Sequence, residues 1–334
     1  MKKSYYLFNP GRLERQDNTL KFTSKSEAGK PTKPRFLPVE GVKVLYVLGS
    51  LDANSALYNF LGKHQVTVHF FDYYGHYTGS FMPRDYLLAG QVQISQTTHY
   101  QKTPKRMLLA SRFVEGAAAN ILRNLRQYQS KGRQVTQHID AIEQLLEQVS
   151  TAPDIAALMG VEGNIRKVYY TAFDEILLHF KMGNRSRQPP LNEVNALVSF
   201  GNMMCYALCL DMIYHTQLNP TISFLHQPGT RRYSLALDLA EIFKPILVDR
   251  LIFNVLNLKK IQAKDFDLQV NKCLLKETGK KVFVSAWDER LKKTIAHRTL
   301  KKQVSYGQLV KLECYKIAKH VLNMDDYQPF KIWW

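Results

Sequence analysis

The 334-residue sequence predicts an α+β protein in which a small β-rich domain precedes a larger helical one. Three observations carry that reading. β-Branched and aromatic residues alternate with polar ones through the first ninety residues, the pattern of half-buried strands. Beyond about Pro104, apolar residues recur at i, i+3 and i+4, the stripe of amphipathic helices. The length amounts to about two ordinary domains, and 45% hydrophobic content lets each bury its own core, which excludes a disordered chain.

In chain order, strands are expected at 5–8, 19–23, 42–48, 66–71 and 77–82, punctuated by Asn9-Pro10-Gly11, Gly41, Gly62 and Gly75. One helix is expected inside this block, at 50–63, opening with Ser50, Asp52 and Asn54 and continuing through Ala56, Leu57, Phe60 and Leu61. Residues 1–90 then form the N-terminal domain and 91–104 a linker, with Gly79-Ser80, Met82-Pro83 and the polar stretch 95–105 as the hinge. Residues 105–334 form the helical domain, with helices at 107–127, 138–149, 155–181 and 191–218. Segment 183–190, with two prolines, reads as an exposed loop, and so does 219–232, which holds His226. The longest apolar stretch, 196–210, contains Ser199, Gly201 and Asn202 and stops at Asp211. That is short of a bilayer span and predicts a buried helix, not a membrane protein. The first residues lack a secretory apolar region and the four cysteines have no paired spacing, so a reducing cytoplasm is the expected location.

The chain carries 46 Lys and Arg against 28 Asp and Glu, a net charge of +18 that points to a polyanion. Basic minus acidic residues give +5 over 1–100, +4 over 101–150, zero over 151–250, +6 over 251–300 and +3 over 301–334. The neutral middle therefore sets nine carboxylates between basic flanks. Lysine and arginine that neutralise phosphates, with a few acids reserved for a metal, suit a nuclease.

Three places put metal-competent side chains in unusual settings. Glu162 stands between Gly160-Val161 and Gly163, where its simplest role is to favour a helix dipole. His226 follows an apolar segment and precedes a Gly/Arg-rich loop, where a hydrogen-bonded boundary histidine is the plainer reading. Asp238 and Glu241 project from one face of a strongly apolar helix and need partners there. Glu, His and Glu or Asp around a cavity make a hard-donor set suited to Mg²⁺ or Mn²⁺. Zinc is disfavoured, since Cys205 and Cys209 read as small buried thiols. Walker, dinucleotide, HExxH and GxSxG signatures are all missing.

Four ordered motifs resemble one family, the CRISPR-associated protein one integrases and endonucleases of spacer acquisition. They are Glu162 with Arg166 and Tyr169-Tyr170; Asn184 to Pro190 leading to Asn195 to Gly201; His226 in its Phe-Leu-His turn; and Ser234 to Glu241 with Lys244-Pro245 and Asp249-Arg250. The ending, from Glu313-Cys314-Tyr315-Lys316 to Pro329-Phe330-Lys331-Ile332-Trp333-Trp334, is similar to the type I-B branch. The resemblance implies an N-terminal β-sandwich that mediates dimerisation and an all-α catalytic domain. It also implies Mg²⁺ or Mn²⁺ on Glu162, His226 and Glu241, with Asp238 in support. The implied partners are double-stranded DNA, a second copy of the chain and CRISPR-associated protein two, and the implied reaction is transesterification of a spacer 3′-hydroxyl onto repeat DNA. Candidate phosphate contacts are Arg166, Lys167, Arg185, Arg187, Arg231 and Arg232. Because a histidine ligates as neutral imidazole, activity is expected to fall below about pH 6.5. A general metal-dependent repair nuclease and a non-catalytic basic scaffold remain the alternatives. The apolar C-terminal Phe330, Trp333 and Trp334 either dock a partner or pack back on the helical domain.

Overall fold

Strand-forming residues near the N-terminus assemble into two four-stranded sheets around one helix. The computed structural model describes residues 2–25, 30–87, 89–229 and 233–333, and the chain divides into two units, Met1–Tyr86 and Leu87–Trp334. The first unit runs β1 (Lys3–Leu7), β2 (Gly11–Gln16), β3 (Thr19–Ser24), β4 (Arg35–Pro38), β5 (Val42–Val47), β6 (Leu51–Asp52), α1 (Ser55–Lys63), β7 (Thr67–Phe71) and β8 (Tyr77–Phe81). One sheet has the order β1-β5-β7-β8 and the other β4-β3-β2-β6. In the first, β1, β5 and β7 are parallel, and β8 turns back antiparallel from β7. Leu7, Leu45 and Val68 from this sheet, Leu13 and Leu20 from the other, and Leu57 and Leu61 from α1 share one core.

Three strands, β2, β4 and the two-residue β6, and one helix boundary differ from expectation in this unit. β2 and β4 were not anticipated, because Leu13 is the sole apolar residue of Gly-Arg-Leu-Glu-Arg-Gln and β4 holds only four residues. Helix α1 starts at Ser55, not at 50, because the Asn54 side chain accepts from Leu57 N at 3.0 Å and caps it, leaving Leu51 and Asp52 to pair with β2.

The second unit runs α2 (Gly90–Gln101), α3 (Thr103–Gln129), α4 (Thr136–Glu147), α5 (Ile155–Thr171), α6 (Phe173–Ile176), α7 (Glu193–Tyr214), α8 (Ser234–Lys244), a π-helical turn Pro245–Asp249, α9 (Arg250–Asn257), β9 (Phe266–Gln269), β10 (Lys272–Leu275), α10 (Glu277–Lys292), β11 (Thr294–His297), β12 (Lys302–Ser305) and α11 (Tyr306–Val321). The expected linker 91–104 is instead occupied by α2 and the start of α3. Helix α2 buries Val92, Gln96 and His99, a largely polar face with a specific purpose. Gln96 Nε2 donates to Asn219 O at 3.0 Å and Ile222 O at 2.7 Å, and its Oε1 accepts from Asn219 N at 3.0 Å, so α2 clamps the loop that leads to His226. Helix α5 stops at Thr171, ten residues before the expected end, and the short α6 follows. The hairpins β9–β10 and β11–β12 add small ribbons to an otherwise helical unit.

Helix α7 is long and apolar enough to cross a membrane, yet 83% of its most apolar window is buried inside the protein. It does not stop at Asp211, which is fully buried, with His215 Nε2 at 3.6 Å one turn on. The C-terminal segment packs back on this unit: Tyr327, Phe330 and Ile332 are buried, and Trp333 Nε1 donates to Ala296 O at 3.1 Å. Buried Glu313 accepts from Tyr327 OH at 2.7 Å and Phe330 N at 2.9 Å. Trp334 lies outside the described residues.

Behind the π-helical turn, α7 passes close at Gly201. A Cβ there would run into Val248 Cγ1 and meet Phe283 Cζ at 3.0 Å. Gly201→Ala is therefore expected to destabilise the protein by about 1–3 kcal/mol through overpacking. A urea titration checks this, and an unchanged midpoint would mean the contact relaxes at no cost.

Candidate functional site

Helix α5 carries Glu162, Arg166 and Tyr169 at spacings of four and three, which aligns them along one face. Helix α8 carries Asp238, Glu241 and Lys244 at spacings of three, and its apolar remainder, including Leu235, Leu239 and Ile242, is buried. Carboxylates in such a helix require compensation, and each finds a different kind.

Asp238 is fully buried and organises the histidine loop. Its Oδ2 accepts from Phe224 N at 2.7 Å and Leu225 N at 3.0 Å, and its Oδ1 from His226 N at 2.9 Å. The same Oδ1 lies 2.8 Å from His226 Nδ1. Arg106 Nε adds a bond to Phe224 O at 2.9 Å. With Nδ1 held by a carboxylate, Nε2 is the imidazole nitrogen left for a ligand, the arrangement that orients metal-binding histidines. Burial lowers the affinity of His226 for a proton, but the hydrogen bond and charge of Asp238 and the charge of Glu241 outweigh it and leave the pKa raised.

Glu241 is compensated by cations. Its Oε2 accepts from the Arg166 guanidinium and its Oε1 from the Lys244 ammonium. Burial alone would raise its pKa, yet Lys244, Arg166 and His226 hold it far below the usual carboxylate range. Glu162, with Arg166 Nε at 3.6 Å, fares differently: burial and then the charge of Glu241 push its pKa up against the pull of Arg166, Lys244 and His226. Arg166 Nη1 also lies 3.9 Å from Asp249 Oδ2 on the π-helical turn. Asp249 is almost fully buried, and burial, opposed by Arg166 and Lys244, pushes its pKa up to about 7.

Glu162, His226 and Glu241 thus lie within electrostatic reach of one another. Among the described residues no group of three His, Cys, Asp or Glu side chains closes into a cation cage, because Arg166 and Lys244 take up the Glu241 carboxylate. The donor chemistry nonetheless fits a divalent cation. Two glutamates and a carboxylate-oriented imidazole are hard donors, and the unfavourable burial of Glu162 is what such a charge would relieve.

The basic residues divide. Arg166, expected to face phosphate, is only 8% exposed and points into the site, because buried Glu241 and Asp249 and half-buried Glu162 attract it. Arg185 is half-buried and staples its own loop, donating to Asn195 Oδ1 at 3.0 Å, Ser199 Oγ at 3.1 Å and Ser186 O. Lys167 and Arg187 are exposed. Arg231 and Arg232 lie outside the described residues. Lys244 and Asp249 had been given no role from the sequence. Their signals are their place in the fourth motif, with Lys244 three residues past Glu241 and Asp249 closing the apolar run Ile246-Leu247-Val248.

A carboxyl whose folded pKa stands above its unfolded value stabilises the fold below the unfolded value and loses that contribution as pH rises. For Asp249 the window lies between the ordinary aspartate value and about 7. Asp249→Asn should remove this slope and stabilise the protein at pH 8 by on the order of 1–3 kcal/mol. Melting curves of both proteins from pH 4 to 8 check this. Parallel curves would exclude Asp249 as the titrating group.

Comparison with known proteins fits this geometry into a family. A family model described as CRISPR associated protein Cas1 matches residues 5–289. The CRISPR-associated endonuclease Cas1 2 of Moorella thermoacetica is 46% identical over 332 residues, covering 99% of this chain and 100% of that protein. The solved Cas1 protein from Thermotoga maritima superposes with a TM-score of 0.86 at 34% identity, covering 97% of this chain and 99% of that one. A casposase bound to its integration product shares the fold, with a TM-score of 0.85 at 19% identity, covering 99% of this chain and 93% of that one. With a match over most of its length and full-length relatives above 40% identity, the chain belongs to the CRISPR-associated protein Cas1 family.

Proposed function

We propose that this chain is a divalent-metal-dependent DNA integrase and endonuclease of CRISPR spacer acquisition, of the type I-B branch. The observation that carries the chemistry is His226, whose Nδ1 is taken by Asp238, within electrostatic reach of Glu162 and Glu241. Full-length relatives named as Cas1 endonucleases support the activity. In this reading Glu162, His226 Nε2 and Glu241 hold Mg²⁺ or Mn²⁺, and Asp238 keeps the imidazole in place. When bound, the cation would withdraw charge from the scissile phosphate and favour the attacking hydroxyl as an alkoxide. The 3′-oxygen of a spacer precursor forms a bond to phosphorus as the bond to the departing 3′-oxygen of the repeat strand breaks. One phosphodiester replaces another, so no external energy source is needed. Lys244 and Arg166 hold Glu241 ionised, the form in which it would bind a cation. The net charge of +18 suits double-stranded DNA. A second copy of the chain and Cas2 are its protein partners, and the cytoplasm is its location.

Strand transfer of a labelled duplex with free 3′-hydroxyls into a supercoiled plasmid bearing a CRISPR repeat tests this, with Mn²⁺ or EDTA and Cas2 present. Joining at the repeat boundary should require Mn²⁺ and fall at least about 100-fold in Glu162→Ala and His226→Ala, since a metal site acts as a unit. Cleavage without joining would favour the repair nuclease. Tight DNA binding with neither product would leave a scaffold.

The raised pKa of His226 moves its pH threshold upward. Its imidazolium persists above the ordinary histidine value, so neutral Nε2 is lost at a higher pH than an exposed histidine would require. Mn²⁺ affinity should therefore begin to weaken above about pH 6.5 as pH falls. A titration from pH 8.5 to 5.5 checks this, and full affinity at pH 6 would count against His226 as a ligand.

Lys167 and Arg187, both exposed, remain phosphate contacts in this reading, as do Arg231 and Arg232. Reversing the charge of Lys167 or Arg187 should weaken DNA binding and flatten its logarithmic salt dependence by about one unit. An unaltered slope in Lys167→Glu or Arg187→Glu removes that residue from the interface.

A further inference from the structure

Helix α3 sends two fully buried asparagines, Asn120 and Asn124, toward the elements that carry the site. Four residues apart, they lie one turn from each other on the same face. Asparagine is a poor helix former and a buried amide needs partners, so neither is there for packing alone. Their partners differ. Asn124 Nδ2 donates to Tyr169 OH at 3.0 Å and to Pro245 O at 2.7 Å. Asn120 Nδ2 donates to Ile242 O and to Phe330 O, each at 3.0 Å, and its Oδ1 accepts from Ile332 N at 2.8 Å. One amide therefore joins α5 to the end of α8, whereas the other joins α8 to the C-terminal segment and makes no bond to α5.

The bonds of Asn124 land beside the site. Tyr169 is seven residues past Glu162 and three past Arg166 on the same face of α5. Pro245 directly follows Lys244, and its carbonyl also takes the Arg250 N–H across the π-helical turn. Asn124 Oδ1 is buried and has no hydrogen-bond partner. A side chain that leaves its acceptor unsatisfied in the core is held there by what its donors do. Those two donations bridge α5 and the end of α8 through uncharged groups.

We infer that Asn124 is a positioning residue for the candidate metal site, its two N–H donations setting the separation between α5, which brings Glu162, and α8, which brings Glu241. The role deepens the proposed function and rests on its reading of the two glutamates as cation ligands. Asn124 touches neither glutamate and acts through the helices that carry them, as outer-shell residues do in metal sites.

Mn²⁺ binding to the full-length protein by isothermal titration, read beside melting temperature, tests it in three variants. Asn124→Leu should weaken Mn²⁺ by about 10-fold or more, the usual effect of losing an outer-shell partner. Tyr169→Phe removes one oxygen, keeps the ring against Phe173, and should weaken Mn²⁺ several-fold with little loss of melting temperature. Asn120→Leu removes three bonds from the same helix, against two at Asn124, but spares α5, so it should lower the melting temperature while leaving Mn²⁺ affinity within about twofold. For the joining reaction, Tyr169→Phe should lower kcat and leave KM for DNA unchanged. Wild-type affinity in Tyr169→Phe, or equal Mn²⁺ loss in the Asn120 and Asn124 variants, would reduce Asn124 to a stabilising residue and overturn the role. Should Asn124→Leu fail to fold, Tyr169→Phe is read beside Asp249→Asn, because the Tyr169 hydroxyl also acts on Asp249. An equal Mn²⁺ loss in Asp249→Asn would assign the effect to that acid and overturn the role, and wild-type affinity in Asp249→Asn leaves the effect with Asn124. Wild-type protein that binds no Mn²⁺ would overturn the metal site itself, and this role with it.

Discussion

One guanidinium holds the centre of the helical unit together. Arg166 reaches Glu162 on its own helix, Glu241 on α8 and Asp249 on the π-helical turn, three acids from three elements of the fold. Without a cation among them, burying these carboxylates side by side would be prohibitive, because mutual repulsion and desolvation act in the same direction. With it, the most strongly paired acid stays ionised and the remote one takes a proton near neutrality. The helices converge because this charge is shared.

The backbone accommodates that convergence at Pro245. Proline lacks the N–H that would close the α-helical bond to the Glu241 carbonyl, so the helix gives way to a π-helical turn in which Arg250 N pairs with Pro245 O. Widening the helix there faces Asp249 toward Arg166, whereas Ile246, Leu247 and Val248 stay buried against their neighbours. Gly201 on α7 leaves room for Val248 at this point. A backbone irregularity, an absent side chain and a buried acid thus belong to one device.

Much of this was legible in the sequence where burial and hydrophobicity coincide. Residues 107–127 show an apolar stripe because α3 buries Leu109, Phe113, Ile121 and Leu125 along it. Helix α2 was illegible for the opposite reason, since its inward face is Val92, Gln96 and His99, and hydrogen bonding, not apolar area, fastens it. Glu162, His226, Asp238 and Glu241 stood out as polar residues in apolar or glycine-rich settings. Arg166 is legible as a cation beside Glu162 but not as an inward one, because an arginine four residues after a glutamate reads equally well as a phosphate contact or a solvated pair on a helix surface. Only the three-dimensional meeting of α5, α8 and the π-helical turn turns it inward. The same limit hid Lys244 and Asp249, whose partners lie far away in sequence or become partners only once the helix is formed.

Asp238 and Glu241 show how such a site separates roles between two like groups on one helix. Three residues apart and both buried, they could have competed for the same cations. The shorter aspartate stays near the backbone and is satisfied by three N–H groups and an imidazole, all from the loop it folds. Such donors fix geometry and are not exchanged for a ligand without unfolding the loop. The longer glutamate extends to two side-chain cations, whose exchange for a metal would require no loop to unfold. The aspartate is therefore suited to hold a ligand in place, and the glutamate to be one.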